Sequence, residues 1–252
     1  MHLIWHGTAS VEFVCGESRI LFDPFVPLKG SSVPVKAEDF DGFSDIFITH
    51  GHLDHIVSVP EIINRNSQAK VYCTEAPRNT LMKKGVPQHN LRLIRYGEEV
   101  RAAGFRVLPL HGRHAVLPKA SSARLRYILM SPHRSNIPSI IREVIRCREM
   151  DETVFYQIEA DGKQVSLMGS MNLRDEVDYP VNADLLVLPY NGWEDNFPPA
   201  VSVIRRLKPK RVVLNHYDDT FPPLTMPLDL APLLTKYEGL VTPLELGKAV
   251  TV

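Results

Sequence analysis

The first half of the chain alternates short apolar runs with turn residues. Val11 to Cys15 and Arg19 to Asp23 are two such runs, and Gly16-Glu17-Ser18 between them predicts a hairpin. Asp45 to Thr49 reads Asp-Ile-Phe-Ile-Thr, the pattern of a short buried strand. Ser58 to Asn66 is expected to be a helix, with Pro60 tolerated in its first turn, where N–H groups lack intrahelical partners anyway. Ala69 to Thr74 reads as a further strand. Pro77 to Lys84 then reads as a helix that Gly85 ends.

In the second half, Phe105 to Leu110 is a strand leading into His111 and His114. Thr153 to Glu159 and Lys163 to Met168 flank Asp161-Gly162, a dipeptide suited to the left-handed residues of a tight hairpin. Asp184 to Leu188 and Arg211 to Leu214 are buried-strand runs, separated by a helical pattern over Pro199 to Leu207. Strands thus pair locally first and alternate with helices later. That order argues for a mixed α/β (α+β) sandwich in one domain, residues 1–252.

One segment departs from the rest. Arg113 to Arg148 carries eight Lys or Arg residues and a single acid, Glu143. Within it Ile137, Ile140, Ile141, Val144 and Ile145 recur at helical spacing, with Arg142, Arg146 and Arg148 off the stripe. The expectation is a basic helical insertion around 117–150, packed on the core through its apolar stripe. A lid that favours anionic substrates and a contact between copies in a homo-oligomer are the sharper readings.

Composition limits the function classes. Among 252 residues, Lys plus Arg and Asp plus Glu both number 29, so no global basic field for nucleic acid or an anionic membrane exists. No apolar stretch is long enough to cross a bilayer. The N-terminus lacks the pattern of a secretory signal. Cys15, Cys73 and Cys147 are widely spaced and form no CxxC pair, which suggests neither a disulfide framework nor a zinc knuckle. A cytoplasmic protein with no membrane partner is expected.

The histidines carry the candidate chemistry. Three of the ten fall within six residues, as His50, His52 and His55 around Asp54. They follow a strand, where alternate positions of a loop face the same way. Imidazole and carboxylate together suit zinc and related first-row metals. Burying four such groups without a cation would be costly.

The run Thr49-His50-Gly51-His52-Leu53-Asp54-His55 resembles the HxHxDH signature of the metallo-β-lactamase superfamily. Further segments resemble its lactonase-like branch, which includes sugar-lactone and phosphodiester hydrolases. These are His6-Gly7-Thr8-Ala9-Ser10, Ile20 to Pro24, Asp184 to Tyr190, and Asn215-His216-Tyr217. The similarity runs in order from Trp5 to about Asp219. It implies a four-layer αββα sandwich with metals at one edge, between two sheets. It also implies that His50 and His52 ligate a first metal, Asp54 and His55 a second, and His216 completes the second site. His114 is favoured over His111 as the third ligand of the first site. Zinc is the expected ion, one or two per chain, and manganese, iron or nickel would also suit such a set.

One position departs from the pattern. Where the family has Gly-Asp, with the Asp bridging both metals, this chain has Gly169-Ser170. A neutral hydroxyl cannot offset the repulsion of two cations held about 3.5–4 Å apart. Asp175, Glu176 and Asp178 are the carboxylates near enough in sequence to substitute.

The resemblance thus implies a metal-dependent hydrolase. It would use metal-bound hydroxide on an ester, lactone or phosphodiester bond of a small-molecule substrate, with Asp54 relaying the proton, and the lid reading of the basic segment would make that substrate anionic. Tyr190, Asn191 and Trp193 are candidates to line the pocket. Asp23, Asp45 and His6 are candidates to orient ligand imidazoles. Two other readings remain: a metal-binding but catalytically silent domain with a binding or assembly role, supported by Ser170, and a nucleic-acid-processing nuclease, supported only by the basic segment.

Overall fold

A computed structural model describes residues 1–115, 122–147, 150–191, 196–225 and 228–252. Two seven-stranded sheets organise it. The first has the order β14 (Ala249–Thr251), β1 (His2–Gly7), β2 (Ser10–Cys15), β3 (Ser18–Phe22), β4 (Asp45–Phe47), β5 (Lys70–Cys73) and β6 (Leu91–Leu93). The second has the order β13 (Val241–Pro243), β12 (Val212–Asn215), β11 (Leu185–Pro189), β10 (Lys163–Met168), β9 (Val154–Ala160), β8 (Phe105–His111) and β7 (Val100–Ala102). Each sheet has an antiparallel portion continued by a parallel one. The change comes at β3–β4 in the first and at β10–β11 in the second.

Strand periodicity builds the layers. In β11, Leu185 and Val187 face the opposite sheet, while Leu186 and Leu188 face outward. Phe47 points into the inter-sheet core, and its neighbours Ile46 and Ile48 point out. Phe22, Phe47, Tyr72 and Tyr156 form a connected ring cluster between the sheets. Each such side chain contributes roughly 1.5–3 kcal/mol on burial.

The outer face of the first sheet is covered by α1 (Leu53–Ile56), α2 (Val59–Arg65) and α3 (Glu75–Lys83), through Leu53, Ile56, Val59, Ile62, Ile63 and Leu81. The outer face of the second is covered by α6 (Phe197–Leu207) and α7 (Ala231–Lys236), through Ala200, Val203, Ile204, Leu207 and Leu233. The result is the four-layer αββα sandwich. Among the described residues, no helix is long and apolar enough to cross a membrane.

The hairpin and helix signals have clear local causes. Asp161 and Gly162 both adopt positive φ, 53° and 68°, which turns β9 back into β10. Gly85 ends the helical segment after α3 at φ 91°. The terminal strand β1 and the short β6, β7, β13 and β14 carry no strong run or turn signature.

Two helices, α4 (Ser122–Met130) and α5 (Ile137–Arg146), lie between β8 and β9. The expectation that the apolar stripe of α5 packs into the core is corrected. Ile140 is buried, but Ile141 is 54% exposed, Val144 50% and Ile145 62%. The helix attaches to the body partly through polar contacts instead, with Lys84 donating to Glu143. Cys147, just after α5, is buried against the α1–α3 layer.

Candidate metal centre

Several strands deliver their C-terminal residues to one edge of the sandwich. Asp23 follows β3, the His50 run follows β4, His114 follows β8, Ser170 follows β10 and His216 follows β12. The two sheets are tied together at this edge. The Val154 N–H donates to the Thr49 carbonyl at 2.8 Å, and Gly169 lies directly against Thr49. A Cβ on Gly169 would come within 2.5 Å of Thr49 Cβ and 2.8 Å of the Val154 carbonyl oxygen. Glycine is therefore required there by close approach, not by φ.

The sequence candidates gather into two triads. His50, His52 and His114 form one, and Asp54, His55 and His216 the other; within each, the donor atoms lie within 4.8 Å of one another. His50 Nε2 is 3.2 Å from His52 Nδ1. The rings of His52 and His114 are 4.5 Å apart. Asp54 Oδ2 lies 3.1 Å from His216 Nε2 and 3.8 Å from His55 Nε2.

The buried partners behind these rings decide which nitrogen faces inward. Thr49 donates its hydroxyl proton to Asp23 Oδ2 at 2.6 Å, so its oxygen is left to accept from His50 Nδ1 at 3.0 Å. The His50 Nε2 lone pair then faces its triad. His55 Nδ1 lies 2.8 Å from Asp23 Oδ2, which frees Nε2 in the same manner. His114 Nδ1 donates to the Ala115 carbonyl at 2.7 Å. His216 sits at φ 65°, its N–H donating to the Thr8 carbonyl at 2.9 Å.

Charge differs across the centre. Burial pushes the His50 imidazole well below its ordinary pKa, and His55, His52 and His114 add to the shift. Burial acts against a charged His55 as well, but Asp23 and Asp54 outweigh it and its pKa rises. Burial would also raise Asp54, yet His55 and His216 hold it far below the usual carboxylate range. Converging imidazole nitrogens beside an ionised carboxylate are the donor chemistry of a divalent cation, so these residues fit one.

Ser170 is buried and does not stand in as a carboxylate. Its Oγ accepts the Ala115 N–H at 2.9 Å, holding the His114 loop. Asp175 and Glu176 do not reach the centre: they are exposed and pair with Arg206 and Arg174. His111 lies outside both triads, stacked on Tyr96 with Nε2 2.9 Å from the Asp151 carbonyl.

The other sequence candidates divide. Asp23 braces His55 and Thr49, as its contacts show. Asp45 instead accepts from the Tyr72 hydroxyl at 2.9 Å, and His6 pairs with Glu12 at 3.0 Å, so neither orients a ligand. Asn191 lines the cavity over the triads, whereas Tyr190 is buried in the core beside α6. Trp193 lies outside the described residues.

That cavity has a volume of about 460 Å³. Beyond the triad residues, Leu53, Arg124, Val144, Cys147, Phe221 and Leu224 line it. Sequence reasoning did not single these out. Arg124 was one of eight basic residues in its segment, and Phe221 and Leu224 sit in a loop without periodicity.

Comparison with known proteins places this arrangement. A family model described as the beta-lactamase superfamily domain matches residues 18–217. A metal-dependent hydrolase of Metallosphaera sedula is 34% identical over 104 residues, covering 41% of this chain and 46% of that protein. The chain thus spans under half the length of that relative in the match. A metal-dependent hydrolase of Thermococcus onnurineus is 29% identical over 226 residues, covering 86% of this chain and 84% of its own. Among solved structures, Igni18, a metallo hydrolase from Ignicoccus hospitalis, aligns with a TM-score of 0.62 at 22% identity, covering 100% and 97% of the two chains. The metallo-beta-lactamase fold protein YhfI from Bacillus subtilis aligns at 0.64 and 16%, covering 99% and 98%.

Proposed function

The chain belongs to the beta-lactamase superfamily, and from that premise we propose that it is a metal-dependent hydrolase of small molecules. The observation that carries the reading is the convergence of two donor triads on the wall of one cavity. The metal-dependent hydrolases among its relatives support it.

His50, His52 and His114 would hold one ion, and Asp54, His55 and His216 a second. Zinc suits imidazole-rich sets of this kind best. When bound, such an ion supplies Lewis acidity and an activated water near neutral pH. The chain's own residues do the rest. Asp54, kept ionised by His55 and His216, orients the attacking water and accepts its proton. Thr49 and Asp23 fix the ring tautomers. Leu53, Val144, Phe221 and Leu224 exclude bulk water from the reacting bond. Ester, lactone and phosphodiester bonds are the substrate classes of the proposal.

Elemental analysis of purified protein, followed by hydrolysis assays on a lactone, an aryl ester and an aryl phosphodiester, tests it. Retained zinc, turnover of at least one class and loss of turnover on chelation are expected. Retained metal with no turnover would favour a metal-binding, catalytically silent domain, the reading that neutral Ser170 supports. A chain that holds no metal would defeat both.

A further inference from the structure

We propose that the outward face of α4 and α5 docks on an anionic phospholipid bilayer. A helix on a water-facing surface turns its apolar stripe to the core and its polar side out. Here much of what is turned inward is polar. Arg124 Nη2 donates to the Leu224 carbonyl at 2.7 Å. Asn136, just before α5, donates to the Pro222 carbonyl at 2.9 Å and to the Lys29 carbonyl at 3.0 Å, and Lys84 donates to Glu143. Large apolar side chains point away instead. Leu125, Leu129 and Met130 of α4 are exposed, the last two at 59% and 68%, as are Ile141, Val144 and Ile145 of α5. With Tyr127, these two short helices hold seven of the twelve exposed large apolar side chains among the described residues. Such a concentration marks a surface that meets a partner or a membrane rather than water.

Charge selects the occupant. Arg126, Arg134, Arg142 and Arg146 are exposed on the same two helices and the turn between them. Glu143 is the one acid from Ser122 to Cys147, and it is drawn to Lys84 on the body. A second copy packed through this face would set arginines against arginines, which is costly. A bilayer with anionic headgroups satisfies both kinds of side chain. Its hydrocarbon boundary takes up the leucines and isoleucines, and its headgroups meet the guanidinium groups, whose stems reach across the two layers. Tyr127, with an apolar ring and a polar tip, suits the boundary itself. The net charge of the whole chain is zero, so the attraction is local to this face. Val144 is half exposed and also lines the cavity over the triads, so docking would set the cavity opening at the lipid surface.

Co-sedimentation of the intact chain with vesicles tests this. One set is phosphatidylcholine alone, the other equal parts phosphatidylcholine and phosphatidylglycerol. Neither turnover nor bound metal enters the measurement, so its failure is distinct from failure of the hydrolase reading. Wild-type protein is expected to bind the mixed vesicles at least about tenfold more tightly than the neutral ones. Ile141→Ser with Ile145→Ser should weaken binding to the mixed vesicles about tenfold or more. Arg126→Gln with Arg142→Gln should do the same, since each arginine near an anionic surface contributes about fivefold. All four positions are exposed, and an unchanged thermal unfolding midpoint would show that the fold is kept. If the isoleucine variant fails to fold, the arginine variant decides. Equal binding to both vesicles, or binding unchanged in a folded variant, would overturn the proposal. So would a lipid-free dimer in analytical ultracentrifugation that Ile141→Ser with Ile145→Ser dissociates, which would give the face to a second copy. A monomer that ignores both vesicles would also overturn it, leaving the face to an acidic protein.

Discussion

The two triads have equal numbers of donors but unequal charge. His50, His52 and His114 are three imidazoles, drawn from the β4 loop of one sheet and the β8 loop of the other. Asp54, His55 and His216 include an ionised carboxylate, and Asp23 stands 2.8 Å behind His55. An ion in the second triad would face one anion directly and a second through an imidazole. An ion in the first would face neutral nitrogen alone. Ser170 stands where a carboxylate would have balanced the two, and its hydroxyl accepts the Ala115 N–H instead. Donor count therefore misjudges such a centre; where the carboxylates sit decides which ion is held firmly. The second triad should bind more tightly, and the first should fill last and empty first.

The most disruptive way to test that asymmetry is to neutralise its anion. Asp54→Asn should lower turnover on the order of 10²–10⁴-fold, by removing the proton acceptor. It should also release the tightly held ion. His114→Ala should instead release only the loosely held one. Equal metal loss in both variants, by elemental analysis after dialysis, would break the comparison.

Asp23→Asn reaches the second triad indirectly. The amide cannot accept the His55 Nδ1–H, the Thr49 N–H (2.8 Å to Oδ1) and the Thr49 hydroxyl proton with the strength of a carboxylate. Affinity at the second triad, which Asp23 touches directly, should fall about 10–100-fold, and at the first, which it reaches only through Thr49 and His50, distinctly less, as competition with a chromophoric chelator would report. A matching loss at both sites would mean that Asp23 holds the whole edge together rather than tuning one ion.

The gentlest test adds charge where it is missing. Ser170→Asp should tighten the loosely held ion about tenfold or more and bring occupancy closer to two per chain. The carboxylate can still accept the Ala115 N–H, so the His114 loop should stay in place. Unchanged affinity would show that charge is not what separates the triads.

Much of this was legible along the chain. The β2–β3 and β9–β10 hairpins announced themselves through turn residues and period-two runs, because both depend on neighbours in sequence. The candidate donors His50, His52, Asp54 and His55 were legible for the same reason, being close together in sequence. His114 and His216 were recognisable only by resemblance, since nothing near them in sequence points to a metal. The strands β6, β7, β13 and β14 were not legible, because three residues at a sheet edge carry too little pattern. The stripe of α5 misled: helical spacing shows that apolar residues share a face, but not that the face meets the core.

The sequence by itself determined the local elements, the four-residue donor cluster and the neutral serine in place of a bridging carboxylate, because each is a property of adjacent residues. Only the tertiary structure decided that His114 and not His111 joins the centre, that Asp23 and not Asp45 braces a ligand, and that Arg124 lines its cavity. Those outcomes depend on which strand ends the two packed sheets bring to a common edge. Contacts between residues far apart in the chain, such as Ser170 with Ala115 and Arg124 with Leu224, are fixed by that packing and leave no mark in local pattern.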